Sequence, residues 1–139
     1  MIIDECKLIQ KYINHAIKSK SFSGIRVRKF IEKEDFSPFY IYKYFENYDS
    51  FKLKAAESFV EEHFSTPYVN FDNTYFSKLA YETEKHFGKH EYRDILFLDE
   101  YCGKIVMEQY YIPALTKIFN SLSEKEILFK YTIIVGMIL

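Results

Sequence analysis

The sequence has few residues that interrupt helices: its 139 residues include only 4 glycines and 3 prolines, and tryptophan is absent. Glycine and proline build tight turns and end helices, so their scarcity disfavours loop-rich and β-rich folds. It also leaves little room for a glycine-rich loop that would hold nucleotide phosphates, and no G-x-G-x-x-G pattern occurs. The 13 tyrosines and 14 phenylalanines supply large apolar surfaces for packing. The composition therefore predicts an all-α protein.

Cysteine is equally scarce. Cys6 and Cys102 lie far apart, and neither belongs to a C-x-x-C pair or to a spacing of cysteine and histidine that would bind zinc. We interpret them as two reduced thiols of a cytoplasmic protein. We expect no signal peptide, because Asp4 and Glu5 interrupt the start of the chain before an apolar segment forms. The apolar stretch 131–139 is too short to cross a bilayer, so no membrane partner is expected.

Patterns for catalysis or metal binding are also missing. A nucleophilic enzyme needs a serine or cysteine beside a histidine and an orienting carboxylate, and the local sequence suggests no such set. His86 and His90 have the spacing of metal ligands on a helix, with Glu82 one turn earlier. Gly88 lies between them, however, and no fourth ligand is evident. We therefore expect no metal, no cofactor and no enzymatic activity.

The sequence also lacks an excess of charge: its formal net charge is −1 at pH 7, which does not by itself suggest a nucleic-acid partner. The distribution is more informative, because residues 6–31 contain basic side chains and no acidic ones. The basic residues of this stretch are Lys7, Lys11, Lys18, Lys20, Arg26, Arg28 and Lys29. Such a run is either a solvated helix face or a surface that attracts phosphates. Beside a helix-turn-helix pattern, we favour the second interpretation.

Two short helices joined by a tight turn are predicted at the end of this basic region. The spacing of Val27, Phe30 and Ile31 indicates the first helix, over about residues 25–33. The apolar pattern then breaks at residues 34–36. Together with the helix that follows, this arrangement is typical of a helix-turn-helix.

The second helix is predicted over about residues 38–45. Ser37 can accept a hydrogen bond from a backbone N–H at the start of this helix. Pro38 suits the first turn, because its fixed φ is helical and its missing N–H would have no partner there. These two residues give the helix a well-defined start.

One face of this second helix is predicted to be buried through Ile41, Tyr42 and Phe45. The other face would offer side chains that touch bases or phosphates, as a recognition helix does in the major groove. We expect double-stranded DNA as the partner. The residues predicted to contact it, with Tyr42 assigned to both sets, are Arg26, Arg28, Ser37, Phe39, Tyr40, Tyr42, Lys43 and Tyr44.

Residues 7–51 resemble the DNA-binding region of the tetracycline-repressor (TetR) family of bacterial transcription regulators. The segments that carry the resemblance are Ser21-Phe22, Phe30-Ile31, Phe36-Ser37 and Tyr42-Lys43-Tyr44-Phe45. The last of them matches the Tyr-x-x-Phe that closes the recognition helix of the family. The chain departs from the family at Asp35 and Phe39, where glycine is usual, at Ile31, where a small residue is usual, and at Tyr48, where lysine is common.

The resemblance implies a division of the chain into two regions. Residues 1–48 would form an N-terminal three-helix bundle with the helix-turn-helix. Residues 49–139 would form a helical region that binds an effector and dimerises, and that the family usually continues with a further helix. The protein would then be a homodimeric, ligand-responsive repressor, with its C-terminal helices at the dimer contact and a small apolar or aromatic effector between them.

The remaining helices are predicted from caps and apolar spacing. The first covers residues 4–19, with Asp4 as its cap, and another is capped by Asn47 or Asp49. A further helix is predicted from about 72 to 87, followed by interrupted helices over 91–121. The final helix follows the capping box Ser123–Glu126. Interruptions are expected at Gly103 and Pro113. The aromatic residues named as candidates for an effector pocket are Phe59, Tyr75, Phe97, Tyr101 and Tyr110.

An alternative remains open at this point. Between Pro38 and Asp49 only Lys43 is basic, which is sparse for a DNA-reading helix. The chain could therefore be a helical protein-interaction module of the same fold that no longer binds DNA.

Overall fold

The computed structural model describes residues 3–63, 81, 83–85, 87–88 and 91–138. Every regular element in these residues is helical and none is a strand, which confirms the predicted all-α class. Over the same ranges, no helix is both long and apolar enough to cross a membrane. The helices are α1 Glu5–Ser19, α2 Val27–Glu34, α3 Phe39–Tyr44, α4 Tyr48–His63, α5 Arg93–Leu98, α6 Glu100–Ile105, α7 Ile112–Ile118 and α8 Glu124–Ile138, with a π-helical segment, Val106–Tyr111, between α6 and α7.

Helix α1 has the start and the buried face that its sequence predicts. The Asp4 carboxylate accepts a hydrogen bond of 2.7 Å from the backbone N–H of Lys7 and so caps the helix. Lys20 ends the helix in the left-handed conformation, with φ of 59°. The buried residues at helical spacing are Leu8, Ile9, Tyr12, Ile13 and Ala16.

A sharp turn separates α2 from α3. Asp35 has φ of 54°, a left-handed conformation that aspartate tolerates better than most residues. The Ser37 hydroxyl accepts a hydrogen bond of 3.2 Å from the Phe39 N–H, as predicted for a capping serine. Helix α3 begins at Phe39, one residue later than expected. It is a separate helix and not a continuation of α2.

Tyr12 is the centre of the N-terminal packing. Its ring is fully buried and lies 5.1 Å from the ring of Phe30 and 4.9 Å from the ring of Phe51, measured between centroids. Its hydroxyl donates a hydrogen bond of 2.8 Å to the carbonyl oxygen of Phe22, and burial raises the pKa of this hydroxyl. Phe22 is itself fully buried. One tyrosine thus joins α1, α2 and α4.

Helix α4 belongs to both halves of the chain. Of the two predicted caps, Asn47 fills the role: its side-chain oxygen accepts a hydrogen bond of 2.8 Å from the Ser50 N–H. Phe59 on α4 packs against Phe22, with ring centroids 5.0 Å apart. The buried apolar side chains form one cluster that extends from Ile3 to Ile134. The regions predicted as 1–48 and 49–139 therefore share a core.

The break in the C-terminal half lies at Asp99, and the predicted interruption at Gly103 is wrong. Gly103 is inside α6, where its backbone approaches α5 closely: a Cβ atom at this position would lie 2.7 Å from the carbonyl oxygen of Phe97. Glycine is therefore needed for contact between helices and not for a helix end. The chain turns four residues earlier, because Asp99 is extended and caps the start of α6.

The interruption predicted near Pro113 takes the form of a π-helical turn. Proline has no N–H to donate, and its ring clashes with the carbonyl four residues earlier in a regular helix. Here the preceding residue, Ile112, donates its N–H to the carbonyl of Met107, five residues back. The wider turn accommodates the proline at the start of α7 without ending the helical path.

The last helix has its predicted cap. The Ser123 hydroxyl accepts from the Glu126 N–H at 3.3 Å and donates to the Glu126 carboxylate at 3.0 Å. Its buried residues are Ile127, Tyr131 and Ile134. Most of the helix predicted over 72–87, including the effector candidate Tyr75, lies outside the described residues, as do His86 and His90.

We predict that Gly103→Ala destabilises the protein, because the added Cβ would meet the backbone oxygen of Phe97, which a side-chain rotation cannot move. The expected loss is about 1–3 kcal/mol in the free energy of unfolding, measured by urea denaturation. Gly136→Ala is the matched control, since nothing lies within 4 Å of a Cβ there. That change should stabilise α8 by up to about 1 kcal/mol. Equal stability of the two variants would contradict the close approach of α5 and α6.

Candidate nucleic-acid interface

Helix α3 presents one side to solvent. Phe39 is 62% exposed and Tyr42 is 57% exposed, whereas Ile41 is fully buried. Lys43 is also exposed. These three exposed residues stand at i, i+3 and i+4 and therefore share a face of the helix. Of the predicted buried stripe, Ile41 is confirmed, Phe45 is half-buried, and Tyr42 is wrong.

Two residues that were predicted to face the groove point towards the protein instead. The hydroxyl of Tyr44 donates a hydrogen bond of 3.0 Å to the carbonyl oxygen of Ile3, and its ring is half-buried. Tyr40 is also half-buried, with its ring 6.5 Å from that of Phe36. Packing on the N-terminal segment and on the turn therefore takes Tyr40 and Tyr44 out of the exposed face.

The ring of Tyr42 packs against the ring of Tyr48, the first residue of α4. Its ring centroid lies 5.4 Å from that of Tyr48, at an interplanar angle of 32°. Burial first, and then the proximity and hydrogen bond of Tyr42, raise the pKa of Tyr48, while the positive charge of Arg28 acts in the opposite direction. Arg28 is exposed on α2. A continuous surface from α2 to α3 is thus formed by Arg28, Tyr48 and Tyr42. We call this surface, together with Phe39 and Lys43, the aromatic face.

A basic cleft of about 430 Å³ surrounds the start of α2. It is lined by His15 from α1 and by Arg26 and Lys29, together with Ser19, Ser21, Gly24 and Ile25. Burial, and after it the charge of Lys33, lower the pKa of His15, so its ring is neutral at pH 7. No side chain caps the backbone at the start of α2. The two cations suit a phosphate oxygen.

The basic run at the N-terminus is therefore not uniform. The Lys11 side chain is half-buried, and its ammonium lies 3.5 Å from the carboxylate of Glu34. Lys11 therefore forms an ion pair within the protein. Lys7, Lys18 and Lys20 are exposed. The cations that stand beside the α2–turn–α3 unit are Arg26, Arg28 and Lys29.

The aromatic candidates for an effector pocket divide into core and cleft residues. Phe59 and Phe97 are buried in the core, where Phe97 packs against Tyr111 with centroids 6.1 Å apart. Both contribute to the core, and their assignment to an effector pocket stays a prediction. Tyr101 and Tyr110 are half-buried, and burial, followed by a nearby carboxylate, raises the pKa of each. Tyr101 lines a cleft of about 500 Å³ between α4 and α6.

A buried carboxylate also joins the two regions of the chain. Asp99 is 8% exposed, and one of its oxygens accepts four hydrogen bonds from the turn between α1 and α2. These come from the Phe22 N–H at 2.7 Å and from the Ser23 N–H, the Ser23 hydroxyl and the Ser21 hydroxyl, each at 3.1 Å. The other oxygen accepts from the N–H groups of Tyr101 and Cys102, each at 3.1 Å. Asp99 thereby caps α6 and holds the turn.

Lys52 completes this connection from α4. It is 9% exposed, and its ammonium donates a hydrogen bond of 2.8 Å to the carbonyl oxygen of Ser23. The same ammonium lies 5.4 Å from the centroid of the Tyr101 ring. A buried cation is stabilised by such contacts. The α1–α2 turn is therefore fixed by α4 and α6 together.

A cleft of about 620 Å³ lies next to this connection. It is lined by Ile17 and Ser21 on the N-terminal side and by Tyr92, Leu98 and Glu100 on the C-terminal side, among others. Its volume is in the range of small-molecule sites. We call it the seam cleft, because both regions of the chain contribute to its wall.

Sequence reasoning missed Asp99 and Lys52. The available signal for Asp99 was an aspartate directly after the apolar run 95–98, which is typical of an N-cap between two helices. Lys52 gave no signal, because a single lysine at a buried position of a helix has no pattern of its own. Neither residue belongs to the predicted DNA-contacting set.

No protein-family model, curated protein or solved structure matches the sequence. The proposed resemblance to TetR regulators rests on the motif residues of the N-terminal region.

We predict that Asp99→Asn costs about 2–3 kcal/mol in the free energy of unfolding at pH 7. In the parent, both carboxylate oxygens accept hydrogen bonds from backbone N–H groups. In the variant, the NH₂ group of the amide replaces one of these oxygens and places a donor against those N–H groups. Burial acts to raise the pKa of Asp99, but the hydrogen bonds that the carboxylate accepts outweigh it and hold this pKa below its usual value. The stabilisation is therefore present above the ordinary carboxyl pKa of about 4 and is lost as the pH falls through the lower folded value. Urea unfolding at several pH values measures the difference.

Asp4→Asn is the matched control for this experiment. Asp4 also caps a helix, but it is exposed and accepts from one N–H, and asparagine caps about as well as aspartate. Its effect should stay within about 0.5 kcal/mol at pH 7. An equally small effect for Asp99→Asn would show that the connection contributes little to stability.

Proposed function

We propose that the protein is a DNA-binding transcriptional regulator of the TetR type, acting in the cytoplasm as a ligand-responsive repressor. The observation that carries the proposal is the exposed side of α3, where Phe39, Tyr42 and Lys43 face solvent on a short helix that stands apart from α2. A helix of this kind fits the major groove when its neighbours hold it outward. The α2–turn–α3 unit would then be the helix-turn-helix.

The contacts to DNA divide between two sets of residues. Lys43 lies on the aromatic face and would reach base edges. Arg26, Arg28 and Lys29 stand on or just before α2 and would bind phosphates, which position the protein and make binding depend on salt. The basic cleft beside α2 supports this assignment, since Arg26 and Lys29 both line it.

The outer side of α8 supports the homodimer. Leu128, Phe129, Ile133 and Met137 are large apolar residues that remain exposed along this helix. Phe129, Ile133 and Met137 stand at i, i+4 and i+8 and therefore share one side of the helix, where a second copy of α8 would cover them. A two-fold dimer presents two recognition helices to half-sites about one turn of duplex apart, roughly 34 Å.

The seam cleft suits the expected effector. A small molecule bound there would touch the α1–α2 turn through Ser21 and the C-terminal region through Leu98 and Glu100. A ligand that binds one arrangement of the two regions more tightly shifts the population towards it. Because Asp99 joins the same two regions, a shift there would change the separation of the recognition helices. This location differs from the expected pocket around Phe59 and Phe97.

A second candidate function is a protein-interaction module. The observation in its favour is that Phe39 and Tyr42 make the exposed side of α3 aromatic, while Lys43 supplies its charge. Selection of duplexes from a random DNA pool separates the two functions. A regulator enriches a common sequence, and an interaction module enriches none.

We predict that Lys43→Ala weakens binding to the selected duplex, because a base contact is lost. The ratio of the affinities for the selected duplex and for random DNA should therefore fall. Arg28→Ala should weaken binding to both and reduce the slope of log K against log salt by about 0.9, as expected for one phosphate contact. Gel-shift titrations at several salt concentrations measure both effects.

The control for charge alone is Lys117→Ala, which removes one exposed cation in the last turn of α7. It should change neither the affinity nor the slope. If all three variants bind like the parent, the assigned contacts are wrong.

We predict that Phe129→Glu prevents dimerisation, because a charge would be buried where two α8 helices meet. Sedimentation equilibrium at micromolar concentration should give a dimer for the parent and a monomer for this variant. Leu53→Glu is the control, because Leu53 is an exposed apolar residue on α4, away from the proposed contact. A monomeric parent would contradict the dimer.

A further inference from the structure

The aromatic face offers few polar groups for reading bases. The hydroxyl of Tyr44 is bonded to the carbonyl of Ile3, and the ring of Tyr42 packs beside that of Tyr48, with centroids 5.4 Å apart. Lys43 is the basic residue of α3, and its ammonium lies 5.3 Å from the centroid of the Tyr44 ring. Hydrogen bonds from this helix to base edges can therefore specify few positions.

Phe39 has the opposite character. It is the first residue of α3, it is 62% exposed, and its one close ring neighbour among the described contacts is Tyr40, at 5.7 Å between centroids. A phenylalanine left in water contributes little to folding, because stabilisation scales with the apolar area removed from solvent. Its position matters for DNA, since the first residues of a recognition helix lie nearest the base edges.

The major groove offers one apolar group to such a side chain. It is the 5-methyl group of thymine, which phenylalanine can contact directly. The other groups at the base edges are hydrogen-bond donors and acceptors, which a phenyl ring would bury without a partner at a cost in free energy. Chemical complementarity therefore favours thymine opposite Phe39 over cytosine, guanine or adenine.

We infer that Phe39 is a specificity-determining residue that selects operator sites by apolar contact with thymine methyl groups, an inference that rests on the proposed DNA-binding function. The ligand of the aromatic face is then a duplex with thymine at defined positions of each half-site. Lys43 supplies one polar contact in the same half-site. Tyr42, whose ring packs beside that of Tyr48, stands one helical turn after Phe39 on the same face.

The test uses the duplex enriched from a random pool and a second duplex in which deoxyuridine replaces thymidine. The two have the same hydrogen-bonding groups and differ by the 5-methyl group. The parent protein should bind the uridine duplex more weakly, by about threefold to fivefold for each methyl group contacted. Replacing one thymidine at a time locates the contact.

Variants assign the effect to the side chain. Phe39→Ala should bind both duplexes with equal affinity, and Phe39→Leu should keep most of the preference because it keeps an apolar contact. Leu53→Ala is the matched control: it shortens an exposed apolar side chain on α4 outside the proposed DNA-contacting set, and it should keep the full preference. Comparing each variant on both duplexes forms a double-mutant cycle, which removes any general effect of uridine on DNA shape. Because Phe39 is exposed, thermal unfolding should show no loss of fold in its variants.

The outcomes separate this inference from the proposed function. Binding to a selected duplex with no preference for thymidine, or the same preference in the parent and in Phe39→Ala, overturns the inference and leaves the regulator intact. Failure to enrich any duplex overturns the proposed function, and the inference with it. A preference that is present in the parent and absent in Phe39→Ala establishes the contact.

Discussion

The buried carboxylate of Asp99 is the interaction on which the arrangement of this protein depends. A charge is costly to remove from water unless hydrogen bonds replace its hydration, and here six donors do so. Four come from the N-terminal turn and two from the start of α6, so the two regions are joined by a group that neither can satisfy alone. Lys52 adds α4 to the same junction. The orientation of the N-terminal helices is thereby tied to the C-terminal half.

The N-terminal region combines a rigid interior with an apolar exterior. Tyr12 and its ring neighbours fill the centre, and Ile41 anchors α3 to it. The outer side of α3 makes few contacts of its own, so its aromatic residues are available to a partner without disturbing the core. Under the proposed function, the phosphate contacts would come from α2 and the sequence selection from α3.

Much of the fold follows from local rules in the sequence, and the parts that do not follow depend on distant contacts. Apolar spacing and caps predicted α1, α4 and α8, since Asp4, Asn47 and Ser123 act within one turn of their own positions. Tyr42 was misplaced because its neighbour Tyr48 comes from another helix. The role of Asp99 depends on a turn more than 70 residues earlier in the chain, which no local pattern can reveal. The buried positions of Phe59 and Phe97 likewise follow from tertiary packing.

The π-helical segment before Pro113 has a further consequence for this half of the molecule. Each residue of an α-helix advances the direction of the side chains by about 100°. The segment holds one residue more than regular winding would need, so the faces of α6 and α7 are out of phase by roughly that angle. If the π-helical turn shifted to another position in the chain, the side chains between its old and new positions would rotate and contact different neighbours. The helix itself would remain unbroken. The proline fixes where that surplus resides and so sets which residues of the path face α4.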